Sequence, residues 1–225
     1  MLQEIAPGLW HAQHAFKIAG TPVSSRMTVV RLADGRLWLH SPVPLTEQLR
    51  AQIDALGEVA YIVAPNKLHH LFLSGCAAAY PRAQLFGAPG LAKKRSDVAG
   101  LRSLGAVNEA GWQDDFDQLI IRGLPISNEC IWFHRASRTL IMTDLCQWWL
   151  GELPLAARLY GKLTGVRRQL AVPHTVRLMV KDKAAIAESA RQILAWPFER
   201  VIVAHNTIIE RDGHAAVTCA FKVFH

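Results

Sequence analysis

Three stretches of this chain end in side chains able to hold a metal ion. YIVAPNKLHH carries His69 and His70 just after an apolar run, TLIMTDL carries Asp144, and RVIVAHN carries His205. Each apolar run reads as a buried strand, and loops beyond strand ends are where layered α/β proteins place their chemistry. Imidazole nitrogens and a carboxylate form the donor set of zinc, and iron or manganese accept the same groups. One histidine after a strand carries little information. Two adjacent histidines, an aspartate and a later histidine, all placed alike, are harder to dismiss and point to a divalent-metal site, zinc first.

The elements that would position these groups are legible in part. Met27–Leu32 and Arg36–His40 alternate like strands around Ala33-Asp34-Gly35, a strong hairpin signal. A helix is predicted from Thr46 as its N-cap, with Leu49, Ile53 and Leu56 on one face and Gly57 as its stop. Val59–Ala64 follows as a strand buried on both faces, then a short helix over Leu71–Tyr80 and a short strand over Gln84–Phe86. Gly90–Trp112 reads as loops with a short helix. Strands return at Gln118–Ile121, Cys130–His134 and Thr139–Thr143, and a helix is predicted over Pro154–Leu163. Asp182 caps the clearest helix, whose apolar face is Ile186, Ala190, Ile193 and Leu194; Arg200–Ala204 is a strand, and Ala215–Phe224 is compatible with strand or helix.

Composition bounds the function. The 225 residues are enough for one domain over 1–225, and 51% apolar with 19% charged residues excludes a disordered chain. The most apolar stretch, Leu145–Tyr160, is interrupted by Glu152, Pro154 and Arg158, so no membrane span is expected. The N-terminal residues lack the pattern of a secretory signal, and cytoplasmic residence is the expectation. Four scattered cysteines, Cys76, Cys130, Cys146 and Cys219, read as small buried hydrophobes. The net charge of +7 is gathered in short clusters, Lys93-Lys94-Arg95 and Arg167-Arg168, which read as solvated faces. They are too sparse for a nucleic-acid binder, although a basic surface would steer an anionic small substrate. No glycine-rich phosphate loop follows a strand, so no nucleotide or other organic cofactor is expected.

On these residues the chain resembles the metallo-β-lactamase superfamily, in particular an uncharacterised bacterial branch known as a domain of unknown function. The likeness spans nearly the whole chain: a leading meander, a strand to a His-rich loop, a strand to TDL and a strand to a late histidine. It implies a four-layer αββα sandwich with the site along one edge. The superfamily loop HxHxDH, aligned on its last histidine, places His70 at a ligand position and His69 where an aspartate stands. Pro65 and Lys67 occupy the two earlier histidine positions. Glu129 is the nearest candidate for the ligand that should precede the Cys130–His134 strand. Asp144 matches the bridging aspartate and His205 the last histidine, here followed by Asn206 rather than glycine. The resemblance therefore implies one lost metal position and one surviving set of His70, Asp144 and His205, with His69 as a fourth ligand. Four protein ligands would make a closed centre, whereas a free His69 would leave a position for water.

Other residues carry paired readings. Lys67, in a former ligand position, would stabilise an oxyanion or hold a carboxylate, or else snorkel to solvent. His40 would orient a ligand histidine or bond a backbone carbonyl. Glu129 would act as ligand or general base, or stand as an exposed carboxylate. His134 would be structural or reach the site from below, and Trp148 and Trp149 would shape a pocket or form core or dimer contacts. His11, His14, His174, His214 and His225 read as surface or loop residues. The expected function is a metal-dependent hydrolase in which an activated water attacks an ester, thioester, lactone or phosphoester. The alternative is a catalytically inactive relative serving as a ligand- or protein-binding module, which the loss of two loop histidines favours. The expected partner is a small molecule, with no nucleic acid or membrane and with a homodimer allowed.

Overall fold

The computed structural model describes residues 1–18, 21–205 and 207–224; Asn206 and His225 lie outside the described residues. The Asp34-Gly35 turn forms as its chemistry dictates. Gly35 takes a φ of 86°, and Asp34 accepts a hydrogen bond from the Arg36 backbone at 2.9 Å. Strands β1 (Gln3–Ala6) and β2 (Leu9–Ile18) precede it, it joins β3 (Thr21–Arg31) to β4 (Leu37–His40), and the four make an antiparallel meander. After α1 (Glu47–Asp54), strand β5 (Val59–Ala64) lies parallel to β4. Helix α2 (Leu73–Ala79), β6 (Gln84–Gly87), α3 (Leu91–Lys94) and β7 (Leu101–Ser103) complete a seven-stranded sheet in chain order.

The second sheet holds β8 (Phe116–Ile120), β9 (Cys130–His134) and β10 (Thr139–Ile141), then, after α4 (Leu155–Leu163), α5 (His174–Leu178) and α6 (Lys183–Leu194), β11 (Arg200–Ile202) and β12 (Ile208–Ile209). Its order is β12-β11-β10-β9-β8, with β10 and β11 parallel, and α7 (Gly213–Phe221) follows.

Alternation along the strands sorts side chains between layers. Val30, Trp38 and Val63 of the first sheet meet Trp132, Ile141 and Ile202 of the second in a core between the sheets. Their neighbours Val29, Leu37, Leu39 and Ile62 face outward, under α1 and α2. Ile131, Phe133, Leu140 and Val201 face α6 and α7 on the other side. Four layers result: helices, sheet, sheet, helices, which is the αββα sandwich. Thr46 caps α1 by accepting from Leu49 N, and Asp182 caps α6 by accepting from Ala185 N.

The C-terminal ends of β5, β10 and β11, which lead to the three metal-capable stretches, all open on one edge of the sandwich. Some elements differ from expectation. The tail, compatible with strand or helix in sequence, is helical and buries Val217, Ala220 and Phe221 against the second sheet. Strand β2, whose polar residues His11, Gln13, His14 and Lys17 break strict alternation, escaped prediction, and Gly90–Trp112 adds the short strand β7. Cys76, Cys130 and Cys146 are buried, but Cys219 is exposed on α7.

Candidate metal centre

Pro65 follows the buried strand β5, and Asn66 folds the chain back on itself. The Asn66 side-chain oxygen accepts from the backbone N–H groups of Leu68 at 2.8 Å and His69 at 2.7 Å. This is the local bonding that makes asparagine a turn residue. The same side chain donates from Nδ2 to Thr143 Oγ1 at 2.8 Å and to Asp144 Oδ2 at 2.7 Å. Asn66 is fully buried, so one amide fixes the histidine loop and the aspartate together.

Asp144 lies three residues past β10 on a loop held from behind. The backbone N–H groups of Thr143, Asp144 and Leu145 donate to the Glu129 carboxylate at 2.6, 3.0 and 2.9 Å. Asp144 Oδ1 then faces two imidazoles, with His205 Nε2 at 3.0 Å and His69 Nε2 at 3.3 Å. The far nitrogen of each ring is engaged: His69 Nδ1 with Ser41 Oγ at 2.8 Å, His205 Nδ1 with the Ser24 carbonyl at 2.5 Å. Ser41 follows β4 with a φ of 54°, an uncommon conformation for serine that brings its hydroxyl to the ring.

The electrostatics concentrate negative charge on the carboxylate. Burial alone would raise Asp144, but His69 and His205 outweigh it and hold its carboxyl well below the usual range. Burial lowers His205, yet its bond to Asp144 prevails and raises it. Since His205 Nδ1 donates to a carbonyl, its Nε2 faces Asp144 either with a second proton or with a lone pair directed at a cation.

The group fits a metal. Donors about 2.0–2.2 Å from a tetrahedral centre lie about 3.3–3.6 Å apart. Two of the separations here are 3.0 and 3.3 Å, and all three donor atoms fall within 4.8 Å of one another. The hydrogen bonds at both Nδ1 atoms are those that fix the orientation of metal-binding imidazoles.

The family described as a domain of unknown function (DUF4336) matches residues 7–154. The chain belongs to DUF4336. No curated protein matches its sequence. Among solved structures, this DUF4336 chain is similar to a metallo-beta-lactamase from Pontibacter korlensis, with 12% identity, a TM-score of 0.68 and coverage of 100% of this chain and 98% of the other. A metallo-beta-lactamase from Hirschia baltica aligns at 8% identity and a TM-score of 0.67, covering 100% and 97%. A flavo di-iron protein from Thermotoga maritima aligns at 12% and 0.68, over 100% of this chain and 61% of its own. These establish the metallo-β-lactamase fold for the DUF4336 chain.

The structure rearranges the ligand set that the loop alignment implies. His69, not His70, meets Asp144 and His205. His70 Nδ1 instead accepts from Arg95 at 3.0 Å, and burial together with Lys94 and Arg95 lowers its pKa. Asn66 holds the His69 backbone while Arg95 engages His70 at both its ring nitrogen and its carbonyl, so the two rings take separate partners. Lys67 is also displaced: its ammonium donates to the Pro125 carbonyl at 3.1 Å, away from the imidazoles. Glu129 is neither ligand nor exposed base. It is fully buried behind the Asp144 loop, and burial and the Asp144 charge push it up to about 7 against its three backbone donors.

His40 does not hold His69, since Ser41 does. The His40 ring stacks on Trp38 and meets the edge of Trp132 between the sheets, where burial and His69 push it down to about 3. His134 lies at the far end of β9, as the register His134↔Thr139 requires. His11, read as a surface residue, is buried beside the Arg26 guanidinium.

Above the three donors opens a cavity of about 580 Å³. Phe16, Phe72, Trp149 and Tyr160 supply aromatic walls, and Lys94 is its one ammonium. Trp149 is therefore a pocket residue, its ring 6.2 Å from that of His205. Asn66 and Ser41 went unnoticed in the sequence. Pro65-Asn66 after a buried strand was the available signal for the first, while nothing local marks the second.

Proposed function

We propose that this protein is a metal-dependent hydrolase of apolar acyl substrates (esters, thioesters or lactones), with His69, Asp144 and His205 holding one divalent cation. The observation that carries this is the convergence of three donor atoms on the floor of a largely hydrocarbon cavity. Three protein donors leave a coordination position open, as catalytic rather than structural zinc sites do. A cation bound there supplies charge that polarises a carbonyl and acidifies water.

The chain's own residues orient and enclose. Asn66 and the Glu129-bound loop fix Asp144, Ser41 fixes His69, and the Ser24 carbonyl fixes His205. Phe16, Phe72, Trp149 and Tyr160 would bury the acyl part, which favours uncharged acyl groups over phosphoesters. Lys94, which lines the cavity and donates to the Lys67 carbonyl at 2.8 Å, would meet a negative end of the substrate in preference to Lys67.

The test combines metal analysis by plasma spectrometry with a series of chromogenic esters of increasing acyl length. Protein purified without chelator is expected to carry about one metal per chain, lost in His69→Ala and Asp144→Asn but kept in His70→Ala. Hydrolysis should follow the metal and rise with acyl length. A folded protein that binds no metal and is inert to the series would favour the binding module, the reading that Pro65 and Lys67 in the loop support.

A further inference from the structure

Residues 153–181 contain Arg158, Lys162, Arg167, Arg168, Arg177 and Lys181 and no aspartate or glutamate. This segment carries six of the chain's seven net positive charges, so the rest of the molecule is almost neutral. It begins where the DUF4336 match ends, at residue 154.

The segment's first element, α4, shows an uncommon surface. Leu155, Leu159 and Leu163 recur every fourth residue, which places them on one face of a helix. They are 79%, 54% and 66% exposed. Ala157 and Gly161 pack inward on the opposite side, so the leucine face is turned to solvent by the helix's own packing. Arg158 and Lys162 flank the leucines one position before Leu159 and Leu163, and both are exposed. Next to it, the backbone N–H of His174 at the start of α5 donates to the Thr164 carbonyl, and on that helix Leu178 is 84% exposed. Isolated exposed leucines are ordinary, but a row of them on a helix that carries two exposed cations and no carboxylate of its own is not.

We infer that α4 is a docking face for an anionic lipid surface. Apolar side chains on one helix face with flanking lysine and arginine are the arrangement by which a helix lies in the plane of a membrane interface. The leucines would enter the boundary of the acyl chains while Arg158 and Lys162 remain among anionic headgroups. Among the described residues no helix is long and apolar enough to cross a membrane, so the association is peripheral. It differs from the sequence expectation of no membrane partner, which considered spans alone.

A second copy of the chain is the competing occupant, and charge decides against it. A two-fold contact through α4 would set Arg158 and Lys162 against their own copies, with no carboxylate within the helix to offset them. An anionic bilayer complements the charge and the leucines at once. The inference does not depend on the catalytic reading, because it uses none of the metal-centre residues.

Vesicle flotation tests it with the full chain, using phosphatidylcholine alone and phosphatidylcholine mixed with phosphatidylglycerol. Binding is expected to the mixed vesicles and not to the neutral ones. It should weaken as added salt shortens the screening length from about 10 to about 3 Å. The pair Leu155→Ser and Leu159→Ser should lower partitioning at least about tenfold with an unchanged circular dichroism spectrum, since both side chains are exposed. The pair Arg158→Glu and Lys162→Glu should abolish it. Failure to bind the mixed vesicles overturns the inference. So does a wild-type dimer in light scattering that the leucine pair dissociates, which would assign the face to a second copy.

Discussion

Two histidine–serine contacts, one at the turn between β9 and β10 and one beside Asp144 beyond the other end of β10, differ in what surrounds them. At one end His134 Nδ1 meets Ser137 Oγ at 2.7 Å; at the other, beyond the strands, His69 Nδ1 meets Ser41 Oγ at 2.8 Å. At the His134 end burial alone acts, and it lowers the imidazole to about 4. At the other end Asp144 raises His205 despite burial. The same residue type is thus shifted in opposite directions, down by burial at His134 and up by its bond to Asp144 at His205. The cavity of about 580 Å³ is lined by His69, Asp144 and His205 and not by His134. A buried histidine at a strand end is therefore weak evidence of a site until a carboxylate and an opening accompany it.

The comparison breaks most visibly at Glu129, the carboxylate behind Asp144. Glu129→Ala strips the acceptor from three buried N–H groups and should cost about 3–5 kcal/mol in denaturant unfolding. A loss under about 1 kcal/mol would mean that the loop finds other partners. At the His134 end the effect appears with pH. His134 is depressed when folded, so the unfolded chain binds its proton first. Its contribution is complete above the unfolded value near 6.5 and is lost as pH falls toward about 4, amounting to about 3 kcal/mol. Unfolding curves of wild type and His134→Gln should differ in slope over that window, and parallel curves would remove His134 as the cause. The smallest effect compares the two serines. Ser41→Ala should weaken metal binding about tenfold by freeing the His69 ring, whereas Ser137→Ala should leave it unchanged. Equal titrations for both variants would show that the hydroxyl at Ser41 positions nothing.

The strand ends were legible because a run such as Val59–Ala64 has only one good environment, a sheet covered on both faces. The Asp34-Gly35 turn and the caps at Thr46 and Asp182 were legible because their bonding is local. The choice between His69 and His70 was not, since it depends on an asparagine that bridges to residues 143 and 144. Glu129 was misread for a related reason. A carboxylate before a strand looks solvent-exposed until three amide groups from a distant loop converge on it. Strand β2 was missed because Gln13, His14 and Lys17 dilute its pattern, and its long pairing with β3 makes up for that. Ser41 follows directly on the candidate His40, and one residue of register along β4 separates the inter-sheet core from the ring of His69.

The donors come from positions 69, 144 and 205, and the group that steadies the first of them from position 41. During synthesis, with the N-terminal sheet emerging first, His69 is made long before its carboxylate and longer still before the second imidazole. A nascent chain that has not reached His205 cannot bring the three groups together, so the donor set is completed late, when the second sheet closes on the first.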